Sequence, residues 1–264
     1  MTFNKIIAAA LMVAGFVMAS GVAGAADTLK IGVTAGPHAQ ILEAVKPFAA
    51  KAGLAIEILE FTDYTIPNAA LAAGDLQANS FQHQPYLDNQ VRDRGFDLVS
   101  VAKTVVFPIG VYSRRVKSLD ALAAGATVAI PNDPTNGGRA LLLLQANGVL
   151  TLRDGAGLKA SPLDITGNPR KLVVRELDAA QLPRSLEDVD AAVINTNFAL
   201  EAGLDPVREA IARETLDSPY ANIIAVRRVD ADQPWVAALV AAYHAPEVRR
   251  FILERFKGAV VPAW

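Results

Sequence analysis

FTDYTIPNAALAAGDLQANSFQHQPYLDNQVRDRG, residues 61–95, decides the fold because its punctuation divides it cleanly. Pro67 is suited to the first turn of a helix and Gly74 to its end, so residues 67–74 read as a short helix. LQANS (76–80) follows as a strand, and Pro85 then opens a second helix that Gly95 stops. Strand and helix therefore alternate at the spacing of βα units. Tyr64, Phe81, His83 and Tyr86 fall at the turns, and in an open α/β sheet such turns line the crevice where ligands bind.

The same alternation extends outward. TLKIGVT (28–34) reads as a first strand, and Ile41, Val45, Phe48 and Ala49 mark one face of a helix in which Pro47 predicts a kink or an early end. AIEILEFT (55–62) alternates as a second strand, and residues 97–113 are rich in β-branched and aromatic types around Pro108. A polar link at 117–125 precedes a second series. TVAIP, LVVREL and AAVIN are its strands, 139–147 a helix ended by Gly148, and 184–190 a short helix. Residues 151–170, punctuated by Gly and Pro, read as a surface loop. YANIIAVR (220–227) is a late strand, and Val236, Leu239, Val240 and Tyr243 begin an apolar stripe that Val248 and Ile252 resume beyond Pro246. The expected fold is α/β with two lobes, each a mostly parallel sheet flanked by helices. Lobe 1 takes residues 26–115 and 222–264, and lobe 2 takes 116–221.

Residues 1–25 are set apart as an export signal. Lys5 supplies the positive region, residues 6–19 the apolar run and Ala23-Gly24-Ala25 the cleavage site. The run falls short of the roughly 18 residues of a membrane span. The formal charge of −2 gives no reason to expect nucleic acid as a partner. With no Cys, the chain has no disulfide, thiolate nucleophile or Cys-based metal site.

Within PNDPTNGGR (131–139), Asn136 or Thr135 is placed to cap a helix, and two glycines let a ligand approach the backbone. Arg139, expected in the first turn, is unfavourable to the helix dipole there, which suggests a second purpose, a bidentate grip on a carboxylate. The alternative is a solvated arginine beside an ordinary turn. Asn195 and Asn222 stand at strand positions where Asn is depleted, as ligand-holding amides or as satisfied turn and core groups. The three histidines show no metal-ligand spacing. No GxSxG, GxxxxGK or ordered triad occurs, so neither a catalytic residue nor a cofactor is expected.

The stretches 61–95, 130–145, 182–199 and SPYANII (218–224) closely resemble the NlpA family, the substrate-binding proteins of methionine ABC importers. That resemblance implies a two-lobed periplasmic-binding-protein fold, type II-like, closing on one amino acid. By position it assigns ligand contacts to Tyr64, Phe81, His83, Tyr86, Arg139, Asn195 and Asn222. The arginine would pair with the carboxylate, the asparagines with polar groups, and the rings with a thioether. It implies L- or D-methionine as cargo, a permease with its ATPase as partner, and a monomer in the periplasm. Many members carry an acylated N-terminal Cys; this chain has none, so a freely diffusing protein is expected. The other readings are a binder of a Met-containing dipeptide, another apolar amino acid or a small organic anion, and an exported hydrolase.

Overall fold

A computed structural model describes residues 28–264; the expected signal segment lies outside the described residues. The chain opens with β1 (Thr28–Thr34), α1 (Pro37–Lys51), β2 (Ala55–Phe61), α2 (Pro67–Ala73), β3 (Ala78–Asn79), α3 (Gln84–Arg94) and β4 (Leu98–Val106). Gly74 and Gly95 close α2 and α3 in the left-handed conformation that favours glycine. Pro47 neither kinks nor ends α1, which runs four residues beyond it. The proline is exposed, while Ile41, Leu42, Val45 and Ala49 are buried. Burial worth about 1.5–3 kcal/mol per large apolar side chain outweighs the one lost hydrogen bond.

After Pro108 come β5 (Gly110–Tyr112), β6 (Thr127–Pro131), α4 (Pro134–Ala146), β7 (Thr151–Leu152), β8 (Ile165–Gly167), β9 (Val173–Leu177), α5 (Leu182–Ser185), β10 (Ala191–Ile194), α6 (Thr196–Glu201) and β11 (Ala212–Arg213). The expected loop at 151–170 is partly ordered, since β7 and β8 pair antiparallel and 3₁₀ turns lie between them. The short helix expected at 184–190 is confined to α5. Last come β12 (Ala221–Arg227), α7 (Pro234–Tyr243), α8 (Pro246–Phe256) and β13 (Val261–Pro262).

Two main sheets result, in the orders β13-β4-β12-β3-β1-β2 and β11-β5-β10-β6-β9. Both are mixed rather than mostly parallel. β1 pairs parallel with β2 and β3, and β6 with β9 and β10, whereas β12 and β5 run antiparallel to their neighbours. The antiparallel strands are those by which the chain leaves one sheet and re-enters the other. β5, inside the stretch read as lobe 1, pairs in the second sheet. The late strand β12 does return to the first sheet, between β3 and β4.

Each sheet has its own core. Ile31, Val33, Ile41, Leu42, Leu239, Tyr243 and Ile252 pack the first sheet against α1, α7 and α8. Val128, Ile130, Leu141 and Leu144 pack the second against α4. The chain crosses between sheets twice, at 107–109 and 214–220. Among the described residues no helix is long and apolar enough to cross a membrane.

Candidate ligand-binding site between the two sheets

The first wall is built on the end of β3. Asn68, Asn79 and Gln82 form a closed amide cluster: Asn68 Nδ2 donates to Gln82 Oε1 (2.8 Å), and Gln82 Nε2 to Asn68 Oδ1 (2.6 Å) and Asn79 Oδ1 (2.9 Å). All three are buried, so mutual satisfaction is what lets a polar ANSFQH run lie inside the protein. It shortens the expected 76–80 strand to Ala78–Asn79 and fixes the chain that carries Phe81 and His83.

His83 caps α3. Its Nδ1 accepts from the Tyr86 backbone N–H at 3.1 Å, so the proton sits on Nε2, which donates to Asn136 Oδ1 at 3.1 Å across the cleft. Burial, with Arg139 nearby, lowers its pKa to about 3, and the ring is neutral at physiological pH. His38 behaves alike behind the wall. It accepts at Nε2 from Asn222 Nδ2 (2.9 Å), lies 2.7 Å by Nδ1 from Thr34 Oγ1, and burial lowers its pKa to about 3.

Both histidines take up a proton on unfolding that they refuse when folded. Below about pH 6.5 the unfolded chain therefore gains protons, and stability falls as pH drops toward 3. From pH 6.5 to 5 the loss is about 2 kcal/mol for each ring. Urea denaturation at the two pH values measures it; a flat profile would show that the rings are not buried neutral.

Tyr64, Phe81 and Tyr86 pack around the other end. Their centroids stand 6.0–6.1 Å apart, with Tyr86 edge-on to both partners, and Tyr86 Oη donates to the Tyr64 carbonyl at 3.0 Å. Burial, more than the nearby Asp133, raises the pKa of both phenols and keeps them protonated.

The second wall departs from expectation. Neither Asn136 nor Thr135 caps α4. Asp133 does, accepting from the backbone N–H of Thr135 (3.2 Å) and Asn136 (2.9 Å). The helix thus begins at Pro134 instead of Arg139, and Arg139 lies in its second turn. Nor do the glycines admit a ligand. A Cβ on Gly138 would stand 2.6 Å from the Leu158 carbonyl oxygen, and one on Gly137 2.9 Å from that of Pro131. They admit the protein's own backbone.

Asn136 is instead a hub. Its Nδ2 donates to Asp133 Oδ2 (2.9 Å), and its Oδ1 accepts from His83 and from Asn195 Nδ2 (2.8 Å). Asn195 Oδ1 and Asn197 Nδ2 are buried with no protein partner. Arg139, 3 % exposed, gives the fork of its guanidinium to Glu214, with Nε 3.1 Å from Oε1 and Nη2 on Oε2. Nη2 also donates to the Phe107 carbonyl (2.8 Å), and the Tyr220 ring lies 4.2 Å from Cζ. The fork is therefore occupied within the protein, which replaces the expected bidentate grip on a ligand.

Tyr64, Phe81, His83, Tyr86, Arg139, Asn195 and Asn222 all line one cavity between the sheets. Gln82, Phe107, Asn136 and Asn197 complete it. A water-sized sphere finds only about 20 Å³ of free space there, so the two walls stand nearly in contact. The cleft is closed: Tyr64 Oη donates to Asn197 Oδ1 (2.5 Å), and the Tyr64 ring lies 4.9 Å from Phe198. A larger open groove between α1, α6 and α8 is lined by surface charges such as the Arg208–Asp205 pair, which satisfy one another.

The chain matches the NlpA lipoprotein family over residues 29–264. It is 48 % identical over 239 residues to the D-methionine-binding lipoprotein MetQ of Salmonella typhimurium, covering 89 % of this chain and 88 % of the relative. A nutrient-binding protein from Burkholderia cenocepacia, solved bound to methionine, aligns with a TM-score of 0.88 at 57 % identity over 89 % of this chain and all of that one. A periplasmic substrate-binding protein of an ABC transporter from Coxiella burnetii gives 0.86 at 46 % identity, over 89 % of this chain and 100 % of that one. These neighbours share the two-lobed fold, and the chain belongs to the NlpA lipoprotein family.

Proposed function

We propose that this protein is a periplasmic, non-enzymatic carrier that traps methionine between its lobes and delivers it to an ABC importer permease driven by its ATPase. The observation that carries this reading is the division of labour between the two walls of one cleft. Rings of Tyr64, Phe81 and Tyr86 stand on one side, and Arg139 with the unpartnered amide atoms of Asn195 and Asn197 on the other. Aromatic edges suit a thioether sulfur. Arg139 Nη1 receives the carboxylate, and Asn195 Oδ1 accepts from the ammonium. Asn222 spends its Nδ2 on His38 and offers its Oδ1 to the cargo.

Cargo that touches both walls binds the closed form better than the open one, and that differential affinity drives closure. The lobes divide at the two crossings, 107–109 and 214–220, so β5 belongs to the second. The relatives are named lipoproteins; residues 1–264 hold no Cys, so this chain acts after signal cleavage without a thioether-linked lipid. Mass spectrometry of ligand released by unfolding the purified protein tests the cargo. Methionine is expected; a Met-containing dipeptide, another amino acid or an organic anion in its place would overturn the assignment.

A further inference from the structure

Arg139 does not meet its cargo as a free cation. Glu214 holds two of its three nitrogens and is itself held, because it stands where the chain crosses back toward β12. Its backbone N–H donates to the Ile109 carbonyl (3.0 Å), and the Ile109 N–H approaches its Oε2 (3.4 Å). The carboxylate is thus tied to both crossings and stays beside the guanidinium. The pair is 3 % and 16 % exposed, so each charge is seen by the cavity through little water.

The other titratable groups around the cavity supply no compensating positive charge. His83 and His38 are neutral, and Asp133 at the start of α4 is an acid. A second carboxylate arriving at Arg139 Nη1 therefore finds the arginine already balanced and another carboxylate across the same guanidinium. Burying net negative charge there is costly unless the molecule brings its own cation. Asn195 Oδ1, a buried acceptor without a protein donor, independently calls for an N–H group on that molecule.

We propose that Glu214 sets the charge rule of the cavity: by neutralising Arg139 in place, it admits zwitterions and rejects anions of the same skeleton. This rests on the reading of the cavity as an amino-acid site. Glu214 is a specificity-determining residue that acts through Arg139, and its removal should bring a gain of binding for anions. A purely structural role would give only losses.

The test is competition calorimetry with L-methionine and its des-amino analogue 4-(methylthio)butanoate, which keeps the thioether and the carboxylate. The unmutated protein is expected to prefer methionine by about 100-fold or more. Glu214→Gln should narrow that ratio at least about tenfold, chiefly by binding the anion more tightly, while Glu214→Asp, which keeps the charge, should restore the rejection. An unchanged ratio, or equal losses for both ligands, would overturn the proposal. If Glu214→Gln does not fold, the unmutated protein still decides: anion binding within about threefold of methionine overturns the charge rule alone. Binding of the anion without any binding of methionine overturns both this rule and the methionine reading.

Discussion

Arg139→Ala is expected to weaken L-methionine binding by about 100-fold or more and to cost about 3–5 kcal/mol of stability. The two losses have different origins. Binding fails because the cavity loses its one lining cation. Stability falls because Glu214, 16 % exposed, is left charged without its partner, and the Phe107 carbonyl and Tyr220 ring lose the guanidinium. Calorimetry well below the melting temperature separates the first effect from the second, which urea denaturation reads. Arg114→Ala is the control. Arg114 pairs with Glu187 at 2.5 Å, but both side chains are more than half exposed, and such pairs contribute about 0–1 kcal/mol. Equal effects on binding at the two positions would place the carboxylate elsewhere.

Gly138→Ala carries the second large effect, and its sign is informative. By helix propensity alone, replacing a glycine in the interior of α4 with Ala would stabilise the protein by about 1 kcal/mol. The packing predicts the opposite. The new methyl would meet the Leu158 carbonyl oxygen at 2.6 Å and both the nitrogen and the oxygen of Ala160 at 3.1 Å. These are backbone atoms that yield only if the 157–160 turn moves off α4. Overpacking of this kind costs about 1–3 kcal/mol, occasionally more, so the expected result is a lower melting temperature. A rise would contradict the packing of that turn on the helix.

The same glycine shows where sequence reading reaches its limit. A glycine pair beside an arginine looks like room for a ligand, yet the group that fills the room comes from a turn about twenty residues on, which no local pattern announces. The start of α4 was more accessible. Asp133 followed by Pro134 is the ordinary cap and first-turn pair, but Asn136 and Thr135 compete with it as capping types. Strands such as β11 and β13, two residues each, are defined by their pairing partners and carry no alternation of their own.

What was legible was whatever chemistry is concentrated locally. Proline and glycine punctuation sets the bounds of α2 and α3, and the cluster of rings near strand ends marks one wall of the cavity. Arg139 stood out because a cation near a helix start needs a reason. That reason is twofold, since Glu214, 75 positions away, shares it. Asn136, Asn197 and Gln82 bear on the site through side-chain hydrogen bonds to partners 14 to 133 positions away, and spacing cannot reveal those.

The cluster of Tyr64, Phe81, His83 and Tyr86 faces Arg139 and the asparagines across the closed cleft. The most direct test is therefore calorimetric titration of protein unfolded, stripped of ligand and refolded. The account predicts saturable one-to-one binding of L-methionine, lost in Arg139→Ala and retained in Arg114→Ala. No heat with L-methionine, D-methionine or methionyl dipeptides would contradict it.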